Sequence, residues 1–217
     1  MNSRGFTLIE IIVAVALVAI LSAAVAPSVL NNIAQGRVSR AQSDVQAIAG
    51  GVMRFRSEVA RYPRLSIASR PDTTGEAFDF LASSTGNFPA IATGANWPTA
   101  FTTGSVATAS TEQILSHLIQ GKCDNGTAST DSYPKATNPD DPTDIGFRQG
   151  LISSDPTDPW GNKYLINVAP LGIIGQPAWV LSAGPNGVVE TLIAVSGTNA
   201  PETVAGDELS LPVDQDE

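Results

Sequence analysis

Twenty consecutive residues, Ile11 to Leu30, carry no charge, about the length a helix needs to cross roughly 30 Å of hydrocarbon. A chain that starts this way either enters a membrane or must bury an equally long apolar cylinder. Of its 217 residues 42% are hydrophobic, enough for a core. Those residues crowd the N-terminal end, so the remainder of the chain is a modest soluble head.

The formal charge of −9 is equally uneven. Between residues 37 and 70, seven arginines (37, 40, 54, 56, 61, 64 and 70) face only Asp44 and Glu58, a local balance of +5. From residue 71 onward Lys122, Lys135, Arg148 and Lys163 face eighteen carboxylates, a balance of −14. A basic stem thus precedes an acidic head. Attraction between the head of one copy and the stem of another follows from that asymmetry, whereas nucleic acid would be repelled. The single cysteine, Cys123, cannot form an intrachain disulfide. Packing, or a metal, has to stabilise the head.

Three interpretations compete for Met1–Leu30. A secretory signal peptide is imitated by Arg4, the apolar run and Ala24-Val25-Ala26, but Pro27 would then come directly after the cut and Glu10 breaks the run near its start. An ordinary transmembrane anchor leaves the Glu10 carboxylate unexplained, at a cost of a few kcal/mol on insertion scales. Gly5-Phe6-Thr7-Leu8-Ile9-Glu10, after a short polar leader and before an apolar stretch, resembles the class III signal of type IV prepilins and type II secretion pseudopilins. That resemblance accounts for Glu10.

It implies that a prepilin peptidase cuts between Gly5 and Phe6 and methylates the new amine. It also implies that Glu10 neutralises the amino terminus of an adjacent subunit. An ammonium and a carboxylate, each costly alone in lipid, become tolerable as a pair. Arg4 keeps the leader cytoplasmic by the positive-inside rule and sends the remainder outward. The expected location is the inner membrane, single-pass with the head in the periplasm, and afterwards a periplasmic or extracellular filament.

Past Pro27, where a kink or local loosening is expected, Val38, Ala41, Val45, Ile48, Val52, Phe55, Val59 and Tyr62 recur at spacings of three and four. They trace one helix face that ends near Tyr62-Pro63. Gly36, Gly50 and Gly51 weaken a free coiled coil, which favours a helix laid on its own head. A helix from Phe6 to Arg61 would be roughly 80 Å long at 1.5 Å per residue.

In residues 66–150, Ser, Thr, Gly, Asn, Pro and Asp predominate and periodicity is scant. Ser110 with Gln113 resembles a capping box, Ile114, Leu115, Leu118 and Ile119 make an apolar face, and Gly121 can end that helix. Thr102–Thr111 and Asn125–Asp144 read as exposed loops of a surface excursion. His117, the sole histidine, is expected at a solvent or core edge, and no catalytic constellation stands out.

Further on, Asp155-Pro156-Thr157-Asp158-Pro159-Trp160-Gly161-Asn162-Lys163-Tyr164 resembles the Asp-Pro-Trp-Gly-Asn-x-Tyr stretch of major pseudopilins. Ser182-Ala183-Gly184-Pro185-Asn186-Gly187 is similar to the turn found after that stretch in the same family. Tyr164, Ile166 and Val168 alternate as a half-buried strand, and Ala178–Leu181 and Val188–Ala194 are strand candidates flanking a Pro-Asn-Gly turn.

The expected fold is therefore α+β and type IV pilin-like, a long N-terminal helix on a small antiparallel sheet with a loop-rich insertion. The expected parts are a leader (1–5), a membrane and filament-core helix (6–30), an amphipathic stem (31–62), the insertion (63–150) and a C-terminal sheet (151–217). Family resemblance further implies a calcium loop holding Asn186, Asp207, Glu208 and the carbonyls of Ala183 and Val188. Here Asn186 stands where the family has aspartate, and about twenty residues separate the two halves. A solvated acidic loop is the alternative.

The expected role is structural, not enzymatic: a subunit of a type II secretion pseudopilus or related type IV filament. Its expected partners are further copies of itself, other pseudopilins or minor pilins, the prepilin peptidase and an inner-membrane assembly platform, with no nucleic acid. An adhesive or DNA-uptake pilin, and a membrane-tethered binding protein or hydrolase that never polymerises, stay open.

Overall fold

The computed structural model describes residues 6–63, 80–92, 111–121, 133, 135–138, 141, 143–168, 170–172, 178–191 and 208–213. One helix, α1 (Leu8–Val59), carries the chain from an apolar segment into a packed head. Two compact units divide it, Met1–Ser39 and Arg40–Glu217.

In the first unit the helix has no protein around it. Its large apolar side chains, from Phe6 to Ile33, are exposed, and the apolar window long enough to cross a membrane is 0% buried. Such a surface is stable only in lipid or against other chains. The helix runs through Pro27, and the neighbouring Ser28 hydroxyl donates to the Val25 carbonyl at 2.8 Å.

In the second unit the expected seam is the packed face: Ala41, Val45, Ile48, Val52, Phe55 and Val59 are all buried. Gly51 serves close approach here, because a methyl group at that position would lie 2.7 Å from Ile152 Cγ2. Tyr164 fixes the register between helix and sheet by donating its hydroxyl to Asp44 Oδ2 at 3.0 Å. Burial and the adjacent Asp44 carboxylate push that phenol's pKa up, keeping it a donor. At Ala60 the backbone turns left-handed (φ 54°) and α1 has ended.

The main sheet comprises β1 (Phe80–Ala82), β3 (Thr111–Gln113), β4 (Leu165–Asn167), β5 (Ala178–Ser182) and β7 (Leu209–Val213), in the order β3-β1-β4-β5-β7. The four strands β1, β4, β5 and β7 pair antiparallel, and β3 adds a parallel edge to β1. Period-two alternation sends Leu81, Ile166, Val180 and Ala178 into the cluster shared with α1. Phe80, Ala82, Leu165, Trp179 and Leu181 go to a second cluster on the opposite face. The α+β layout expected from the resemblance is present: a long N-terminal helix with an apolar, membrane-like span, and an antiparallel sheet of four strands.

Four expectations need correction. Tyr164–Val168 is buried on both faces rather than half-buried, because Phe88 and Ile91, from the expected surface excursion, cover the far side. Of the strand candidate Val188–Ala194 only Val188 and Val189 form a strand among the described residues, β6, which pairs parallel with β2 (Ala90–Ile91), while 192–194 lie outside those residues. Thr111–Gln113 is a strand, so the capping box does not form, and only Leu115–Gln120 is helical, as a π-helix ended by Gly121 at φ 63°. Finally, segments of 63–150 are structural: β1 and β3 join the sheet, and Tyr133 and Phe147 are buried against Phe55. Ring centroids of Phe55 and Tyr133 lie 4.7 Å apart, edge to face.

Candidate functional site

At the N-terminal end, Gly5 lies outside the described residues and Phe6 and Thr7 precede the helix. The Thr7 carbonyl accepts from the amides of Glu10 at 3.2 Å and Ile11 at 3.4 Å, closing the first turn. Glu10 is exposed in that turn, where a carboxylate is favoured by the unpaired amides of a helix start. Farther along the helix, Leu21, Val25, Val29 and Leu30 line a groove that is almost wholly apolar.

The Asp155–Tyr164 stretch forms a polar hub that sequence alone marked only by resemblance. Asp158 is buried; its Oδ1 accepts from the amides of Trp160 at 3.0 Å and Asn162 at 2.6 Å, and its Oδ2 accepts from the Ser182 hydroxyl at 2.9 Å. One carboxylate thereby shapes the Pro-Trp-Gly-Asn turn and ties it to β5. The Lys163 ammonium donates to the carbonyls of Ser83 at 2.5 Å and Ser84 at 2.7 Å, 5.0 Å above the Phe88 ring. Burial lowers its pKa. Asp155 Oδ2 accepts from the Ser84 amide and hydroxyl. Gly86, at φ 95°, lets this segment pass Asn162, where a methyl group would come within 2.9 Å of backbone carbon. Apart from Asp155 Oδ1, which is buried with no hydrogen-bond partner among the described residues, these polar groups hold chain to chain.

His117 is in the core, not at its edge: it is 0% exposed, and its Nδ1 lies 2.8 Å from the Tyr133 hydroxyl. The apolar helix face on which it was recognised faces inward. Desolvation lowers its pKa to about 3, so the imidazole is neutral at physiological pH.

Part of the expected calcium set lies among the described residues. Pairing of Ser182 with Leu209 in the β5–β7 ladder brings Glu208 across from Ala183. Glu208 Oε1 accepts from the amides of Glu190 and, at 2.9 Å, Thr191, while Oε2 is buried with no hydrogen-bond partner. Burial raises the pKa of this carboxyl. Asn186 is exposed and its Oδ1 accepts from the Val188 amide at 2.8 Å. Ala183 is buried and Val188 half-buried; Asp207 lies outside the described residues. A buried carboxyl oxygen with no hydrogen-bond partner among the described residues is the kind of donor that an oxygen-seeking cation takes. Among the described residues no three carboxylate, histidine or cysteine side chains converge, so such an ion would lean on backbone carbonyls.

Comparison with known proteins bears on the N-terminal site. Residues 1–26 match the family described as the prokaryotic N-terminal methylation motif. Over 62 residues the chain is 41% identical to the type II secretion system core protein G of Pseudomonas aeruginosa, a match covering 29% of this chain and 44% of that relative. The chain thus spans less than half the length of the curated relative it matches. No solved structure matches it significantly. The chain carries a prepilin-type methylation motif and is similar to a major pseudopilin. Together these point to a type IV pilin-like subunit and to a structural rather than an enzymatic role.

Proposed function

We propose that this chain is a structural subunit of a type II secretion pseudopilus or a related type IV filament. The single observation that carries the proposal is the division of labour along α1: an apolar N-terminal segment with every large side chain bare, an acid at its first turn, and a C-terminal half buried in its own head. After cleavage between Gly5 and Phe6 the bare segment is held first by the inner membrane and then by the same segment of other copies. Glu10 pairs with the methylated Phe6 amine of a neighbour. Heads face the periplasm and tile the exterior, and minor pseudopilins and an inner-membrane platform complete the assembly.

Glu10→Leu tests it. The variant inserts into the membrane at least as well as wild type, since a costly carboxylate is gone, but it leaves the neighbour's ammonium unpaired in apolar surroundings. Expressed as the only copy, it should yield almost no filaments by electron microscopy. Abundant filaments from the variant alone would remove the pairing role.

The proposal extends to calcium at Glu208, Asp207, Asn186 and the carbonyls of Ala183 and Val188, which would join the two ends of a long loop that no disulfide closes. The unit Arg40–Glu217 should melt higher with calcium than in chelator, by about 2.7 kcal/mol at a hundredfold excess over Kd. Asp207→Ala should erase that increment and leave the calcium-free melting temperature nearly unchanged. Identical melting of the wild-type unit with and without calcium, at low ionic strength, would rule the site out.

A further inference from the structure

Among the described residues of the unit Arg40–Glu217, one large apolar side chain stands in solvent: Ile145, 61% exposed. It stands on a tightly bonded support. Asp144 Oδ2 accepts from the Asn138 amide at 2.6 Å and the Thr137 hydroxyl at 2.9 Å, and Asp141 Oδ1 accepts from the Thr143 amide at 2.9 Å and hydroxyl at 2.7 Å. Arg148 donates to the carbonyls of Asp141 at 2.8 Å and Asp144 at 3.0 Å, and the Gly146 amide donates to the Glu58 carbonyl at 2.8 Å, fastening the support to the last turn of α1. An open groove of about 610 Å³ runs beside it, lined by Arg54, Ser57, Glu58, Asp144, Ile145 and Gln149.

Asp141 Oδ2 and Asp144 Oδ1 take no part in those bonds. Bonds from Thr143 to Asp141, and from Asn138 and Thr137 to Asp144, hold both carboxyls below the usual range, so both are anionic at neutral pH. The surface is therefore an apolar tip flanked by two fixed negative charges, with the Arg148 guanidinium beside them and one oxygen of each carboxylate outside the bonds above.

The arginines of the helix are not all occupied. Arg40 pairs with Asp44 at 3.6 Å, Arg54 with Glu58 at 2.8 Å, and Arg56 lies 4.9 Å above the Tyr62 ring. Arg61 is also engaged. Arg37 is exposed, and among the described residues it has no ion-pair or hydrogen-bond partner. It belongs to the stretch whose net charge of +5 faces a head of −14.

We propose that Asp141, Asp144 and Ile145 form a docking surface for a second copy of this chain, which presents Arg37 to the two carboxylates and lays its helix against Ile145. The contact rests on the filament reading above and specifies which surfaces meet. Charge decides between the alternatives: head against head sets acid on acid, whereas head against stem sets acid on base. The arrangement is head-to-tail, two different surfaces meeting, so it propagates instead of closing into a dimer. A pre-formed support loses little freedom on docking.

The test uses the full-length chain as the only copy in its host, with Cys123→Ser so that introduced thiols are the sole ones. Arg37→Cys combined with Ile145→Cys should give, on mild oxidation of sheared filaments, a ladder of covalent dimers, trimers and higher species, and neither single cysteine variant should exceed dimer. Arg37→Glu should lower filament yield on the order of tenfold, and Arg37→Lys should retain most of it. Both sites are exposed, so the melting temperature of either variant should match wild type. Filaments that form without a ladder, or that tolerate Arg37→Glu, overturn the contact and leave the filament reading intact. Absence of any filaments from the wild-type chain overturns both.

Discussion

Gly5→Val is expected to leave the entire cellular pool of this protein unprocessed. Under the processing proposed above, a prepilin-type peptidase takes glycine at the position before the scissile bond. A β-branched side chain there collides with a subsite shaped for none and restricts the backbone that must extend into it. Intact-mass measurement should find wild-type protein beginning at methylated Phe6 and the variant retaining Met1 to Gly5 or its equivalent after loss of methionine. Under the proposed pairing the effect extends to assembly, since an uncut chain has no free amine at Phe6 to meet a neighbour's Glu10. A wild-type protein starting at Pro27 would instead identify ordinary signal-peptide cleavage and remove the foundation of the filament reading.

The second large effect is acid lability arising from His117. An unfolded histidine titrates near 6.5, and the buried one near 3. The unfolded chain therefore binds a proton that the folded chain refuses, so this contribution to stability is complete above pH 6.5 and is lost as pH falls towards 3. Desolvation by burial is its cause. The folded-to-unfolded ratio should fall roughly tenfold per pH unit within that window, a loss of about 3 kcal/mol by pH 4. His117→Asn keeps an acceptor near the Tyr133 hydroxyl without titrating; it should be less stable at neutral pH yet nearly flat between pH 6 and 4, after allowance for the carboxylates common to both. A wild-type chain whose urea midpoint is unchanged across that window would contradict the buried neutral imidazole.

How much of the molecule was legible in its sequence depended on the range over which each signal acts. The seam from Ala41 to Val59 was readable because helix periodicity is local, and so was the bare segment before it, whose length and lack of charge speak for themselves. The strand alternation at Tyr164–Val168 was also visible, but whether one face or both were covered depended on Phe88 and Ile91, some seventy-five residues away in sequence. The error over residues 63–150 has the same origin. Phe80–Ala82 and Thr111–Gln113 are three-residue strands, too short for any period to register, and they hold their shape through partners in the ladder rather than by propensity. Gly51 was read as a weakness of the helix, whereas Ile152 on a distant segment gives it its purpose. At the candidate sites, Glu10 announced itself by being costly where it stands. Asp158, Lys163 and the buried state of His117 gave no such signal, because acids, lysines and histidines occur on every surface and only the fold shows which have been enclosed.

The position of β1 limits how this head could be made smaller. Shortening the chain by excising residues 66–150 would remove both β3 and β1, the two outer strands on one side of the order β3-β1-β4-β5-β7, and leave β4 exposed. Strand β4, which is apolar on both sides, would become a rim with open amides and carbonyls, and Leu165 and Trp179 would lose Phe80, Ala82 and Phe88 from the cluster around them. A bare rim of that kind recruits foreign strands. The minimised head would therefore be a template for aggregation, and under the filament proposal above it would have gained a second, competing way of joining copies.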